Sequence, residues 1–321
     1  MINNQDKEIE NLVSKLLNKR FDVNKKNSNY WYPLNYATYG VEEIVSCLES
    51  LIAQRTSMST KCFDFERLFK NYVNTKEAIY VNSGSSADLL AMNIMVKSPE
   101  YSLRRGDKVL VPAITWPTQV WSVIQAGLVP VLYDCSKTTF NPDINSVPRD
   151  ILKECKMIFT THILGTCCDM DELRNIAQEN NLLIAEDSCE SLGTLYKKQQ
   201  VGTFGEVGTF SFFFSHHITT MEGGMICTKN EDLKNQAKIM RAHGWSRAIE
   251  TNELNKFCLN RKIYLDQFKN IDKRYLFLDE GFNLRPTELN ASFGIHQIKK
   301  INLFNKKRNF LSTKFYENIS K

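Results

Sequence analysis

The sequence lacks closely spaced cysteines apart from the adjacent Cys167 and Cys168, although it has nine cysteines in 321 residues. It contains no C-x-x-C pair and no spacing typical of disulfides, which excludes a fold built on a disulfide framework. It also lacks an apolar run long enough to span a bilayer, and its opening MINNQDKEIE is too polar for a signal peptide. We therefore expect a reduced, soluble protein of the cytoplasm without a membrane partner.

The sequence also lacks a strong charge of one sign. Its 41 basic and 36 acidic residues give a net charge of +5, and the two signs are mixed along the chain. This pattern has no concentrated basic patch, so no nucleic-acid partner is expected, whereas a mild positive balance would suit an anionic small substrate. With 42% hydrophobic residues, a chain of this length can bury one large core, which predicts one major domain with appendages.

Short apolar segments alternate with helical patterns from residue 78 onward. We predict strands at 78–81, 108–116, 129–134, 157–164 and 182–188. We predict helices at 118–127 and 171–181, and a further helix that follows the turn at 82–87. Upstream, an amphipathic helix is predicted over Glu8–Leu17, and two helices separated near Ser57 are predicted within 41–72. This alternation predicts an α/β fold in which a mostly parallel sheet is sandwiched by helices. Ligand sites on such sheets lie beyond the carboxyl ends of the strands.

Several short motifs fall at those ends or between elements. They are NSGSSA (82–87), ITWPTQ (114–119), AEDSCES (185–191), SFFFSHHITTMEGGM (211–225), RAHGWSR (241–247) and GFNLRP (281–286). Each has an ordinary structural explanation when taken alone, such as a helix cap for the first and third, or packing for the tryptophan. The fourth motif is interpreted as a strand that begins at Ser211 and leads into a glycine pair, and it contains no lysine.

Together, from about Tyr32 to Ile301, these motifs resemble the DegT/DnrJ/EryC1/StrS family of sugar aminotransferases. In that family a segment of the form S-F-x-x-x-K-x-x-x-x-x-G-G carries the lysine that binds pyridoxal 5′-phosphate (PLP). Here the lysine position, five residues after Ser211, is occupied by His216, and the adjacent His217 is expected to point elsewhere. The resemblance is therefore strongest to the lysine-less branch of the family, the nucleotide-sugar 3-dehydratases. It implies the fold type I of PLP-dependent transferases.

The resemblance also implies how the cofactor is held. Gly84 and Ser85, at a helix N-terminus, match residues that bind the cofactor phosphate, and Ser211 would add its hydroxyl. Asp187 matches the aspartate that pairs with the protonated pyridine nitrogen and makes the ring an electron sink. Trp116 matches the aromatic residue that stacks on the ring. PLP and pyridoxamine 5′-phosphate are both implied, with glutamate as the amino donor.

The remaining site residues are implied in the same way. An imidazole cannot form a stable imine with the cofactor aldehyde, but it accepts protons near pH 7, so His216 is expected to be the catalytic base. His243 and Arg247 are implied to bind the substrate, with the arginine suited to the diphosphate of a nucleotide-sugar. Asn283 is implied to reach the cofactor phosphate of a second subunit, which makes the protein a homodimer.

The resemblance suggests a division of the chain and shows two departures from the family. We expect an N-terminal extension over 1–30, a PLP-binding large domain over 31–290 and, over 291–321, the start of an incomplete small domain. The first departure is that the chain stops at Lys321, soon after the small domain begins, so we expect either a fragment or an unusually reduced small domain. The second is that only Cys258 lies where related dehydrases carry cysteines for an iron–sulfur cluster, and one thiolate cannot hold such a cluster.

The function implied is removal of the C3 hydroxyl from a nucleotide-linked 4-keto-6-deoxyhexose, in the synthesis of 3,6-dideoxysugars of lipopolysaccharide O-antigens. Three alternatives stay open. They are an iron–sulfur dehydrase that works with a reductase, a pseudoenzyme that has lost its lysine, and an ordinary sugar aminotransferase. The sequence leaves the nucleotide and the stereochemistry of the sugar undecided.

Overall fold

The computed structural model describes residues 4–27 and 36–319. The helices are α1 (Asn4–Asn27), α2 (Val41–Ile52), α3 (Thr60–Val73), α4 (Gly84–Lys97), α5 (Pro117–Gln125), α6 (Arg149–Glu154), α7 (Met170–Asn180), α8 (Glu231–Arg241), α9 (Thr251–Asn260) and α10 (Glu288–Ile319). The strands are β1 (Glu77–Val81), β2 (Lys108–Pro112), β3 (Val129–Tyr133), β4 (Cys155–Thr161), β5 (Leu183–Asp187), β6 (Leu195–Tyr196), β7 (Gln199–Gln200), β8 (Val207–Ser211) and β9 (Gly224–Thr228). None of the helices in these ranges combines the length and the apolar character needed to cross a membrane.

The described residues form two compact units. The first, here called the helical unit, comprises the described residues of Met1–Leu68, Phe212–Gly223 and Pro286–Lys321, and the second, the sheet unit, comprises Phe69–Ser211 and Gly224–Arg285. The predicted division at 1–30, 31–290 and 291–321 stays a prediction.

A seven-stranded sheet forms the centre of the sheet unit, in the order β1-β9-β8-β5-β4-β2-β3. β9 runs antiparallel to both of its neighbours, and the other neighbouring strands are parallel. The mostly parallel sheet predicted from the sequence is therefore confirmed. Its parallel strands bring the carboxyl ends of β5 and β8, at Asp187 and Ser211, to the same edge.

Alternate residues of the strands enter two separate cores, as the period of two in a strand requires. On one face, side chains such as Val109, Phe159 and Ala185 pack with apolar residues of α4, α5 and α8. On the other, Leu110 and Ile158 pack with α6 and α7. Helices thus cover both faces, and the strands are buried on both sides, as is usual for parallel sheets.

In the helical unit, α10 packs along α2. The side-chain amide of Gln297 on α10 joins three segments: it donates to the carbonyl of Thr38 and to Glu43, and accepts the N–H of Thr219. Because Thr219 belongs to 212–223, this amide anchors that segment to the helices.

Some boundaries predicted from the sequence are wrong. β2 ends at Pro112 and not at residue 116, and the strand boundary at Ser211 is misplaced. Ser211 was expected to begin a strand, but it is the last residue of β8. The strand ends there because its partner β9 begins at Gly224, opposite Ser211. Beyond that pair, Phe212 donates to the carbonyl of Gly223 and accepts from Thr220, which closes a loop instead of extending the strand.

Candidate cofactor-binding site

The turn between β1 and α4 is shaped to hold an anion. The hydroxyl of Ser83 accepts the N–H of Ser86 at 3.0 Å and caps α4, whose first two residues are Gly84 and Ser85. The Ser85 hydroxyl lies 3.1 Å from that of Thr118, in the first turn of α5. The N-termini of two helices therefore meet at this turn, and helix N-termini favour negative charge.

Gly84 has no room for a side chain. A Cβ at this position would lie 2.5 Å from Cβ and 2.8 Å from Oγ of Ser211, and 3.3 Å from Sγ of Cys189. Gly224 is equally constrained, since a Cβ there would meet the carbonyl oxygen of Ser83 at 2.2 Å. The structure thus brings Gly84, Ser85 and Ser211 together, and their contact with a cofactor phosphate stays a prediction.

Asp187 ends β5 and is buried, with one carboxylate oxygen accepting the N–H of Cys189 at 3.0 Å. Burial raises its pKa, and the hydrogen bond from Cys189 opposes that rise by stabilising the ionised form. A cation placed beside this carboxylate would offset its desolvation. The protonated nitrogen of a pyridine ring is such a cation.

A second buried pair lies next to Asp187 in the sequence. His162 follows β4 and bonds through Nε2 to Glu186 at 3.0 Å, with both side chains fully buried. Burial lowers the pKa of His162, but Cys168 and Glu186 together raise it to about 10, which favours the protonated ring. Nδ1, however, accepts the N–H of Cys168 at 3.3 Å, which a protonated ring cannot do, so the geometry assigns a neutral ring whose proton lies on Nε2 and is donated to Glu186. His162 therefore has a structural role, linking β4 to Glu186 on β5.

Trp116 precedes α5, and 68% of its surface is exposed. The following Pro117 occupies the first position of the helix, which fixes the direction in which the chain enters it. An exposed indole next to the turn of α5 is available to stack on a flat ligand. Its contact with the cofactor stays a prediction.

The motifs RAHGWSR and GFNLRP lie side by side in the sheet unit. The N–H of His243 donates to the carbonyl of Phe282 at 2.7 Å, and His243 has a left-handed backbone with φ of 64°. Gly244 is required next to it, because a Cβ there would lie 1.8 Å from the carbonyl oxygen of Asp279. Arg247 lies over the ring of Trp245, with its guanidinium carbon 5.1 Å from the ring centre.

Arg285 connects the two motifs and was missed in the sequence. Its guanidinium donates to Oδ1 of Asn283 at 3.1 Å and lies 3.3 Å from Nε2 of His243. The bond to Oδ1 orients the amide of Asn283 and leaves its nitrogen to donate. Its contact with a cofactor phosphate stays a prediction. The only sequence signal for Arg285 was its place two residues after Asn283.

His216 belongs to the helical unit. Its N–H donates to the carbonyl of Phe213 at 3.0 Å, and its ring meets that of Phe213 edge to face. Arg308 of α10 donates to the carbonyls of His217 and His216, at 3.1 and 3.5 Å. The neighbouring His217 has Nδ1 out of contact with water. Burial, together with the charge of Arg308 and the adjacent His216, lowers the pKa of His217 to about 4. His217 is therefore neutral at pH 7.

The residues of the sheet unit fit PLP. The space at Gly84 is bordered by a hydroxyl and by two helix N-termini, which suits a phosphate. Asp187 is a buried carboxylate that a protonated ring nitrogen would balance. Both features agree with what the resemblance implied.

Comparison with known proteins places the chain in a family. Residues 38–320 match the model of the DegT/DnrJ/EryC1/StrS aminotransferase family. GDP-4-keto-6-deoxy-D-mannose 3-dehydratase of Yersinia pseudotuberculosis is 34% identical over 289 residues, which are 90% of this chain and 72% of that protein. The chain therefore belongs to the DegT/DnrJ/EryC1/StrS aminotransferase family.

Solved structures agree. A histidine-to-asparagine variant of GDP-4-keto-6-deoxymannose-3-dehydratase with bound GDP-perosamine has a TM-score of 0.84 and 31% identity, and the match covers 90% of this chain and 73% of that one. The same enzyme with a trapped PLP-glutamate geminal diamine has a TM-score of 0.76 and 32% identity, and the match covers 84% of this chain and 68% of that one. The fold is that of the PLP-dependent type I enzymes, as predicted.

Proposed function

We propose that this protein removes the C3 hydroxyl of GDP-4-keto-6-deoxy-D-mannose with PLP and pyridoxamine 5′-phosphate as cofactors. One observation carries the proposal. In a chain similar over 90% of its length to a 3-dehydratase, the segment 211–225 has His216 where the family pattern has lysine, and it contains no lysine at all. A biosynthetic role in 3,6-dideoxysugars of O-antigens follows from this reaction.

When bound, the cofactor supplies an electron sink and, after reaction with glutamate, an amine for the C4 ketone. The protein itself binds and orients the cofactor, and it moves protons. Gly84, Ser85 and Ser211 bind the phosphate, and Asp187 holds the ring nitrogen protonated. His216 is the catalytic base: as a neutral imidazole it accepts a proton on a ring nitrogen, which promotes departure of the C3 hydroxyl.

The other predicted residues act on the substrate and on a second subunit. Trp116 stacks on the ring, and His243 and Arg247 bind the diphosphate of the nucleotide-sugar. Asn283, oriented by Arg285, reaches the cofactor phosphate of the other subunit in a homodimer. The nine unpaired thiols suit a reducing compartment, and we place the reaction in the cytoplasm.

The reaction balances when glutamate is included. At C3 the sugar exchanges its hydroxyl for a hydrogen, a reduction by two electrons that releases one water. Glutamate is oxidised by two electrons to 2-oxoglutarate with release of ammonia, and this half of the reaction consumes that water. Purified protein incubated with PLP, glutamate and the GDP-sugar should therefore release ammonia and a 3-deoxy ketone in equal amounts. Ammonia is measured by an enzymatic assay and the ketone by mass spectrometry.

The same assay separates the alternatives. A sugar aminotransferase would give a 4-amino sugar and no ammonia. His216→Asn, the matched control, should lose ammonia release while still binding the cofactor. A pseudoenzyme would give neither product.

The iron–sulfur alternative has its own test. Cys258 is the only cysteine in the region after RAHGWSR, and it is buried. Protein purified without oxygen should contain no stoichiometric iron or acid-labile sulfide. A brown protein with cluster absorbance would instead support the dehydrase that requires a reductase.

A further inference from the structure

A second buried carboxyl group lies next to Asp187. Asp88 is on α4, four residues and about one helical turn after Gly84, and it is only 2% exposed. One carboxylate oxygen each of Asp88 and Asp187, together with Sγ of Cys189, lie within 4.8 Å of one another. None of the roles proposed above uses Asp88.

Thr209 connects Asp88 to the strand pair that carries Asp187. It lies opposite Asp187 in the pairing of β5 with β8, and its hydroxyl donates to Oδ1 of Asp88 at 2.6 Å. Asp187, in contrast, accepts a backbone N–H, that of Cys189. The two carboxyl groups are therefore held in place by different donors.

The cluster borders the turn proposed to hold the phosphate. Sγ of Cys189 lies 3.3 Å from the position that a Cβ of Gly84 would take. Asp88 and Asp187 each have a carboxylate oxygen within 4.8 Å of this sulfur, so both lie near the space beside Gly84. This placement does not depend on the charge of either group. The pair thus lies close to the region in which the cofactor is proposed to bind.

Two buried carboxyl groups at this separation cannot both ionise at low cost. Burial and the charge of Asp187 raise the pKa of Asp88 well above its ordinary value, and burial raises that of Asp187 while the bond from Cys189 opposes the rise. The pair therefore holds one proton more strongly than a lone carboxyl group would, and Asp88, whose pKa is raised further, is the member that keeps it.

The other titratable groups that act on this pair, in the described part of the chain, are Cys189, Glu190 and His162. Burial raises the pKa of the Cys189 thiol well above its ordinary value, so it stays neutral. His162 is also neutral, as its hydrogen bonds require. Asp88 is then the group of this cluster whose charge changes as the medium becomes alkaline.

We propose that Asp88 is a positioning residue for the cofactor ring: it keeps a proton beside Asp187 at neutral pH, and it supplies a second negative charge to the ring nitrogen in alkaline medium. The inference deepens the proposed function and rests on it, because it takes Asp187 as the partner of the pyridine nitrogen. It concerns binding of the ring and does not depend on the sugar.

The test uses the full chain without cofactor and 4′-deoxypyridoxine 5′-phosphate, which has the ring and the phosphate but no aldehyde. Its Kd and the ultraviolet absorbance of its ring, which reports protonation of the nitrogen, are measured at pH 7 and pH 9. Asp88→Asn keeps the size of the side chain and removes its charge. Asp187→Asn is the reference variant, and it should lose binding at both pH values.

For Asp88→Asn we expect a Kd within about threefold of wild type at pH 7 and about tenfold weaker at pH 9, with the ring nitrogen deprotonating about one pH unit earlier. Thr209→Val should repeat the loss at pH 9, because the Asp88 anion loses the hydroxyl that stabilises it. This second variant keeps the test informative if Asp88→Asn fails to fold.

Equal weakening at both pH values would overturn the inference, because Asp88 would then act by shape or be charged already. Unchanged binding in both variants at pH 9 would overturn it too. If the wild-type chain does not bind the analogue, the proposed cofactor and the inference are both wrong. If the expected pattern is found but no ammonia is released in the assay above, the inference holds and the proposed reaction is wrong.

Discussion

Gly84 and Ser211 come so close that a Cβ on the glycine would lie 2.5 Å from the Cβ of the serine. The contact joins the first residue of α4 to the last residue of β8, and it explains why a side chain is excluded at the proposed phosphate site. Two residues more than 120 positions apart therefore act as one structural feature.

Gly84→Ala should weaken both stability and cofactor binding. The new methyl group forces Ser211 or α4 to move, and overpacking of this kind costs about 1–3 kcal/mol. Gly40→Ala is the matched control, since its Cβ would meet nothing closer than 3.7 Å. Urea unfolding measures stability, and quenching of tryptophan fluorescence measures binding of PLP.

The double variant Gly84→Ala with Ser211→Gly separates the two effects. Removing the serine side chain relieves the clash, so stability should return most of the way to that of the wild type. Binding of PLP should stay weak, because the hydroxyl of Ser211 is missing. Full recovery of binding would show that Ser211 does not contact the phosphate.

His216→Lys should convert a freely exchanging cofactor into one that is covalently held, because the variant restores the lysine of the family pattern. Protein loaded with PLP is passed through gel filtration, treated with borohydride and examined by absorbance and mass spectrometry. His217→Lys, one residue along, is the control and should not retain the cofactor. A wild-type protein that already forms a borohydride-stable adduct would show that another lysine serves.

Proteins carrying Asp187→Ala and Asn283→Ala should complement each other when mixed. Each alone is expected to be nearly inactive, whereas a mixed dimer regains one intact site of two. With random exchange of subunits, about one quarter of the wild-type ammonia release should return. No recovery, in a mixture shown to exchange subunits, would mean that each site is built within one chain.

Glu186→Gln should destabilise the fold in a pH-dependent way. Burial opposes the charge of Glu186, but hydrogen bonds from His162 and from the N–H groups of Gly205 and Gly202 outweigh it and lower the pKa below the ordinary 4.5. Because the pKa is lower in the folded state, the ionised group stabilises the protein above about pH 4.5, and this contribution is lost as the pH falls further.

At pH 7 the loss should be about 3–5 kcal/mol, since the variant leaves buried donors without their charged partner. The difference from wild type should shrink below pH 4.5 in urea unfolding. Glu317→Gln, which breaks only an exposed pair with Lys314, should change stability by less than about 0.5 kcal/mol. A loss that is the same at pH 7 and pH 4 would mean that the charge of Glu186 is not what stabilises the fold.

The sequence predicts the sheet well because its strands are short apolar runs that end in polar residues. The prediction over 182–188 places Asp187 at the end of β5, as observed. The end of β8 could not be predicted in this way. The aromatic run after Ser211 suits a strand locally, but the strand ends where its partner begins, at Gly224, and that pairing is a tertiary property.

Two of the residues that the sequence analysis missed, Asp88 and Thr118, were missed for the same reason. Asp88 lies in an ordinary helical pattern and Thr118 in a helix start, so neither has a local signal that sets it apart. Their positions next to Asp187 and Ser85 follow from how α4 and α5 pack, which periodicity alone does not give. Arg285 differs, because it stands inside a motif that the sequence did single out.

Residue 216 lies in the loop that connects β8 to β9 and is not part of the paired strands. The paired ladder ends at Ser211 and Gly224, so a substitution at residue 216 changes no hydrogen bond of the sheet. On the role proposed for His216, a lysine and a histidine can therefore be exchanged at this position, and one reaction for another, without a change in the pairing of the sheet. Variation among family members in what they catalyse should concentrate in this loop, while the strands on either side of it vary little.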